Sequence, residues 1–319
     1  MLSNISVVGI KVETTQNTAA TFSATDYVYA LDVDVKPIIE LLPVEYRTAS
    51  LDKIASVVGQ VYVEVSLTIP IKTSGTAGTA LAPLGAALMA CGKSETLVAS
   101  TSVTYAPVSV AASANFFTLG KSCTIEYYIG QAANALKYVI KGCAGSSCVI
   151  SGQAGKIGYY KFKFVGQYVA LADASLPSVT YNTVAPKILQ SATFTIQTYA
   201  AIMKSFEIDM GIKHAIRDDA NSAYGVGGAM VVDRDPKGKF VVEAVPVATH
   251  GYIANLLSAA EGSCSFAVGS GAGYITTFTM PKTQYTKVDL DKDNEILKFS
   301  LETKFNKNAG DDWISIAQT

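Results

Sequence analysis

The sequence predicts a mainly β protein made of two tandem β-sandwich or barrel-forming domains, each with one short helix. Three observations predict it. Apolar and polar residues alternate with period two in segment after segment. Only two stretches, 82–91 and 250–260, have the unbroken apolar character and flanking glycine of short helices. Motifs of the first half also return, in the same order, in the second. At ~150 residues per domain, 319 residues fit two domains.

The N-terminal segment, 1–40, reads as an arm partly joined to the first domain. It has a strand at 5–12 and a polar loop at 13–26 that should be mobile until a neighbour orders it. The clearest strand is 61–69. Val61, Val63, Val65, Leu67 and Ile69 share one face, and Tyr62, Glu64, Ser66 and Thr68 the other. The helix at 82–91 stops at Gly92. An insertion, 92–121, follows it. Further strands are read at 123–129, with Cys123, Ile125, Tyr127 and Ile129 inward, and at 160–165. The first domain is 41–175. Pro177 and Pro186, with Ser, Thr and Asn between them, mark an extended linker at 176–190. The second domain, 191–319, has strands at 192–198, 205–213, 240–245, 264–268, 274–280, 295–302 and 313–317. It carries its own insertion, 214–239, before its helix.

The repeat is visible as three offsets. Val63–Leu67 resembles Phe206–Met210 at 143 residues, Ser122–Thr124 resembles Ser263–Ser265 at 141, and Lys161–Phe164 resembles Lys298–Leu301 at 137. The helices match at 168, a jump that the insertions explain.

Composition narrows the function. Apolar residues make up 49% of the chain and charged ones 16%, below the ~25% usual for soluble domains. Such a surface suits a protein that packs against other subunits. The net charge of −1 argues against a nucleic-acid grip, which needs a basic stripe to displace counterions. The five cysteines are irregularly spaced and odd in number, so they read as reduced, buried thiols. Met1–Asn4 has no basic region before the short apolar run at 5–10, and no run of ~18 apolar residues exists. The expectation is a protein made and used in the cytosol or released by lysis.

No residue set converges on chemistry. His214 and His250 sit in no motif, and there is no G-x-S-x-G. Cys143 and Cys148 lack the second pair or histidines of a zinc site. Asp289, Asp291 and Asp293 begin like a calcium loop, but Asn294 stands where Gly is needed and Ser300 where Glu is needed, so a charged hairpin turn is expected. The glycines at 75–78 and 269–274 form neither phosphate-binding motif and read as hairpin tips. No enzyme, cofactor or metal is expected.

One stretch carries a resemblance. Thr73-Ser74-Gly75-Thr76-Ala77-Gly78-Thr79-Ala80, then the apolar helix Leu84–Ala90, Cys91-Gly92 and Glu95-Thr96, resembles a signature of tail tube proteins of long-tailed bacteriophages. The segments 101–109, 205–211, 232–238, 243–249, 280–285 and 309–316 resemble later family motifs in order, so the match covers most of 40–317. The proline that usually follows the glycine run is delayed here to Pro83, which lengthens the loop by one or two residues. The resemblance implies a structural virion protein polymerising as stacked rings into a hollow tube that delivers DNA. A duplicated chain would form trimeric rings with pseudo-sixfold symmetry, where single-domain relatives form hexamers. Open sheet edges invite such pairing, and a head-to-tail contact of the right rotation closes a ring.

In that frame Glu64, Ser66, Glu207 and Asp209 face the lumen, where a neutral or acidic lining lets DNA slide. Lys161, Lys163 and Lys298 should then lie outside it or in salt bridges. Gly75, Thr76, Ala77 and Gly78, with Arg217, Asp218, Asp219, Asp233, Arg234 and Asp235, are expected in loops that contact the next ring or subunit. Implied partners are further copies of the chain, a tape measure protein, tail terminator and tail-tip proteins, and passing double-stranded DNA, with no membrane. Two alternatives stay open: a secretion-type tube component, and a β-sandwich surface or pilus subunit.

Overall fold

The computed structural model describes residues 5–47, 49–131, 133–190, 192–293 and 295–319. The readings placed on Met1–Asn4 and Asn294 lie outside the described residues. Strands take 55% of the chain and helices 6%, which makes it mainly β.

The first half runs β1 (Ser6–Val12), β2 (Tyr27–Val28), β3 (Leu31–Leu42), β4 (Val57–Pro70), α1 (Ala82–Ala90), β5 (Lys93–Val98), β6 (Ser102–Pro107), β7 (Cys123–Gln131), β8 (Asn134–Gln153), β9 (Tyr159–Tyr168) and β10 (Ala172–Ala174). The second runs β11 (Thr195–Ile196), β12 (Tyr199–Ala200), β13 (Met203–Asp209), β14 (Ile212–Asp218), β15 (Val226–Arg234), β16 (Lys237–Glu243), α2 (Tyr252–Leu257), β17 (Glu261–Val268), β18 (Thr276–Asp293), β19 (Ile296–Asn306) and β20 (Ser315–Gln318).

The pairing scheme repeats. In the first half β2 lies on β1, β1 on β7, β7 on β8, β8 on β9, β9 on β4 and β4 on β3, while β10 lies on β8. In the second half β12 lies on β11, β11 on β17, β17 on β18, β18 on β19, β19 on β16 and β16 on β13, while β20 lies on β18. Each half interrupts the scheme once: β5–β6 follows α1, and the separate hairpin β14–β15 precedes β16.

This scheme corrects the strand match read from sequence. The counterpart of β4 is β16, and that of β13 is β3. Val63–Leu67 resembles Phe206–Met210 only because both alternate. The core rows align instead: Val35, Val65 and Phe164 lie side by side in one half, as Phe206, Phe240 and Leu301 do in the other. The offsets of 137, between β9 and β19, and 141, between β7 and β17, were the informative ones.

Two joints make the halves continuous. β13 pairs with the end of β8, from Ser205 opposite Gln153 to Asp209 opposite Val149. β20 pairs with β6. The first joint creates one eight-stranded sheet in the order β3–β4–β9–β8–β13–β16–β19–β18. One of its faces packs into the core through Val63, Val65, Phe162, Phe164, Phe206, Phe240 and Leu301. α1 seals that core beneath β1 and β5, with Leu84, Ala86, Ala87 and Leu88 buried.

Other expectations are corrected here. The polar loop 13–26 is held within the chain. Glu13 is buried and accepts hydrogen bonds from Ser122 Oγ, Thr124 Oγ1, Gly142 N and Asn17 N. A buried carboxylate this fully satisfied needs no neighbour to order it. β7 is buried on both faces, not on alternate residues. The strand expected at 192–198 shrinks to two residues, and the one at 205–213 breaks at Gly211. Gly211 has φ 58°, and a Cβ there would sit 1.9 Å from the Asp235 carbonyl oxygen. Gly211→Ala is therefore expected to cost at least about 1–3 kcal/mol, read as a fall in melting temperature.

Candidate interaction face and free edges

The eight-stranded sheet leaves most of its second face open; the β14–β15 hairpin covers the row of Ala144 and Val165. Residues directly opposite on antiparallel strands share a face, so registers place the side chains. Glu64 lies beside Val165, Ser66 beside Lys163 and Thr68 beside Lys161. Lys161 lies beside Val149, which lies beside Asp209. Ser151 lies beside Glu207. Glu64, Ser66, Glu207 and Asp209 therefore share one surface.

That surface also holds lysines expected elsewhere. Lys161 and Lys163 stand on it, exposed, because register leaves them no other side. Lys298 stands on it too, but is ion-paired to Asp293 at 2.6 Å. Charges alternate across strands. Glu207, Lys239, Glu302 and Lys287 form one row over β13, β16, β19 and β18. Lys36 lies beside Glu64, and Asp34 beside Ser66, around a shallow cleft that His214 also lines. The face is mixed, not acidic. Sequence reading named its acids but set Lys161 and Lys163 elsewhere, because the partner strands were not yet known.

The loops expected to reach other subunits are engaged within the chain. In the 73–81 loop, Thr73 Oγ1 donates to the Gly273 carbonyl. Gly75, Thr76, Ala77 and Gly78 belong to that loop, and Gly78 has φ 70° with the backbone of Ser100 against it. The segment 214–239 is no loop but largely the β14–β15 hairpin, lying across β8, β9 and β4. Ala229 and Val231 pack on Ala144 and Val165. Gln167 Nε2 donates to the Val226 carbonyl at 2.6 Å, and Asn17 Nδ2 to that of Gly227 at 2.7 Å. Arg217 sits over the Phe117 ring, Asp218 accepts from Gln60, and Asp219 accepts from Asn221 N. Asp233 pairs with Lys213, and Asp235 with Lys237. Arg234 donates to the Val108 carbonyl and pairs with Asp311 at 2.7 Å.

Among the described residues no His, Cys, Asp or Glu group is arranged to hold a metal. Asp289 pairs with Lys287, and Asp293 also contacts Lys204, in a β18–β19 hairpin rather than a calcium loop. His250 stacks on Tyr199, and partial burial lowers its pKa. All five cysteines are buried.

The notable feature is at the two ends of the sheet. Among the described residues β3 pairs only with β4. Among the described residues the end of β18 pairs only with β19, since β17 stops opposite Gln284. Both ends expose apolar side chains: Ile39 (55%) and Leu41 (63%) on β3, Leu290 (60%) and Leu297 (53%) on β18 and β19. Their counterparts at the internal joint are Met210 for Ile39, Cys148 for Leu290 and Tyr160 for Leu297. Those three are at most 1% exposed, and Met210 N donates to the Cys148 carbonyl. Ile39 escaped the sequence reading because Pro37 interrupts the alternation of 31–42.

A family model described as phage tail tube protein matches residues 3–306. The chain belongs to the phage tail tube protein family. As a tail tube protein it is a structural component of the virion tail, built to self-assemble into a tube and to contact other tail components. The family is typically non-enzymatic. No curated protein matches the chain. No described helix is long and apolar enough to cross a membrane.

Proposed function

We propose that three copies of this tail tube protein close a ring whose inner wall is the open face, and that stacked rings conduct DNA. The repeated pairing scheme supports a duplicated domain, so that the internal β8–β13 joint is the template for the joint between copies. The observation that carries the reading is the mismatch between buried and exposed counterparts. Positions sealed at the internal joint stand bare at the sheet's two ends. By the same register, β3 of one copy would lie antiparallel to β18 of the next, with Ile39 opposite Leu290.

Pro37 fits this arrangement. It lies opposite Val63 and has no N–H, so the ladder side it lacks faces the free edge. One missing donor there discourages wrong pairing without blocking the right one. The joint is heterologous, with different surfaces on each side, and so closes a ring or runs into a helix.

Three eight-stranded sheets give a barrel of twenty-four strands. At ~4.8 Å per strand its wall is roughly 37 Å across before tilt, and tilting widens it. That leaves room for a DNA duplex. The alternating row of Glu207, Lys239, Glu302 and Lys287 offers no continuous basic track, so phosphates find no run of contacts to hold them. Stacking would leave the terminal rings to meet tail-tip and terminator proteins, and the bore to a tape measure protein during assembly. Negative-stain microscopy of the concentrated protein tests the reading. Tubes with a central hole are expected, and monomers that never polymerise at any salt concentration would contradict it.

A further inference from the structure

We infer that Cys123 and Cys143 are a latent cross-strand disulfide that closes when the assembled protein meets an oxidant. They are register partners on β7 and β8, at the edge of the register shift between Cys123 and Ile125. Cα atoms of directly opposed antiparallel residues lie about 4.5–5.5 Å apart, inside the ~4.4–6.8 Å that a disulfide spans. Space for the pair is built in: Gly166 lies against Cys143, and a Cβ there would sit 2.7 Å from its Sγ.

The second half supplies an internal control. Cys264 on β17 is the counterpart of Cys123, in the same Ser-Cys-Ser/Thr setting. Its register partner on β18 is Met280. The equivalent position of the strand therefore faces a thiol in one half and a thioether in the other.

Both thiols of the pair are wholly buried. Burial, then contact with Cys143 and the nearby Glu13, pushes the Cys123 thiol up. Little thiolate forms, so the pair stays reduced in a reducing cytosol and oxidises slowly outside it. With hydrogen peroxide as oxidant the chemistry balances. One thiol becomes a sulfenic acid with loss of water. The second attacks that sulfur, the S–S bond forms and a second water leaves. The product ties β7 to the middle of β8, the strand that runs from the outer pairing with β7 into the sheet that meets β13.

The bond lies within one chain, so the test does not depend on ring formation. The full chain is oxidised with hydrogen peroxide, then unfolded, alkylated and digested without reductant. The expected map shows Cys123 joined to Cys143, two hydrogens lighter, with Cys264 alkylated. Oxidation should raise the melting temperature by about 4 °C, and Cys143→Ser should remove that shift. Met280→Cys should add a second bond, to Cys264. Alkylated Cys123 and Cys143 after oxidation, a Cys143 oxidised only to sulfinic acid, or a bond from Cys123 to another cysteine would overturn the inference.

Discussion

Leu290→Asp is expected to leave a folded chain that stays single, and Ile39→Asp is expected to do the same from the opposite edge. Each places a carboxylate where the neighbouring copy would bury an apolar side chain. Losing one buried leucine or isoleucine costs about 1.5–3 kcal/mol before the charge is counted, and ~3 kcal/mol is more than a hundredfold in each joint. Both positions are exposed in the isolated chain, so circular dichroism should be unchanged. Mixing the two variants is the sharper experiment. The Leu290→Asp chain keeps a sound β3 edge, and the Ile39→Asp chain keeps a sound β18 edge. An equimolar mixture should give dimers and stop there, because the outer edges of that dimer are both spoiled. Sedimentation would show it. Rings or tubes from either single variant would mean that these edges are not the joint. The converse variant, Ile39→Cys with Leu290→Cys, should cross-link into closed covalent trimers on oxidation.

The second large effect concerns the lining. Glu207→Lys with Glu302→Lys turns the alternating row into four adjacent lysines, repeated in every copy. Tubes should still form, because the two substituted positions lie on β13 and β19, strands paired on both sides. DNA should now bind them, with an affinity that falls steeply with salt, by about 0.9 logarithmic units per tenfold salt for each phosphate contact. Ejection from particles carrying the variant should slow at least tenfold at low salt and recover as salt rises. Lys239→Glu with Lys287→Glu, which makes the row acidic, should eject normally. Unchanged ejection from the lysine variant would place the open face outside the bore.

Much of the fold was legible where alternation was clean. β4 was read correctly because five aliphatics at 61–69 repeat without a break. α1 was read correctly because its apolar run ends at Gly92. β8, the longest strand, was missed. Gly142, Ala144, Gly145, Ser146 and Ser147 interrupt its pattern, and its register slips twice, between Lys141 and Ala144 and between Gly145 and Ser147. A strand that changes neighbours along its length buries different faces at its two ends, which erases period two. β14 and β15 hid in an apparent insertion for a related reason: the hairpin folds onto β8, β9 and β4, so its inward residues answer to a distant surface. The acids of the open face were visible as the polar side of alternating strands. The lysines beside them became visible only through register. The apolar free edges needed both the topology and the comparison between halves.

The most direct test of the central claim is a cryo-electron microscopy map of the assembled tube. It should show three chains per ring, twenty-four strands around the bore, and β3 of each chain hydrogen-bonded to β18 of the next with Ile39 opposite Leu290. A ring of six chains, or one in which those two edges stay unpaired, would contradict it.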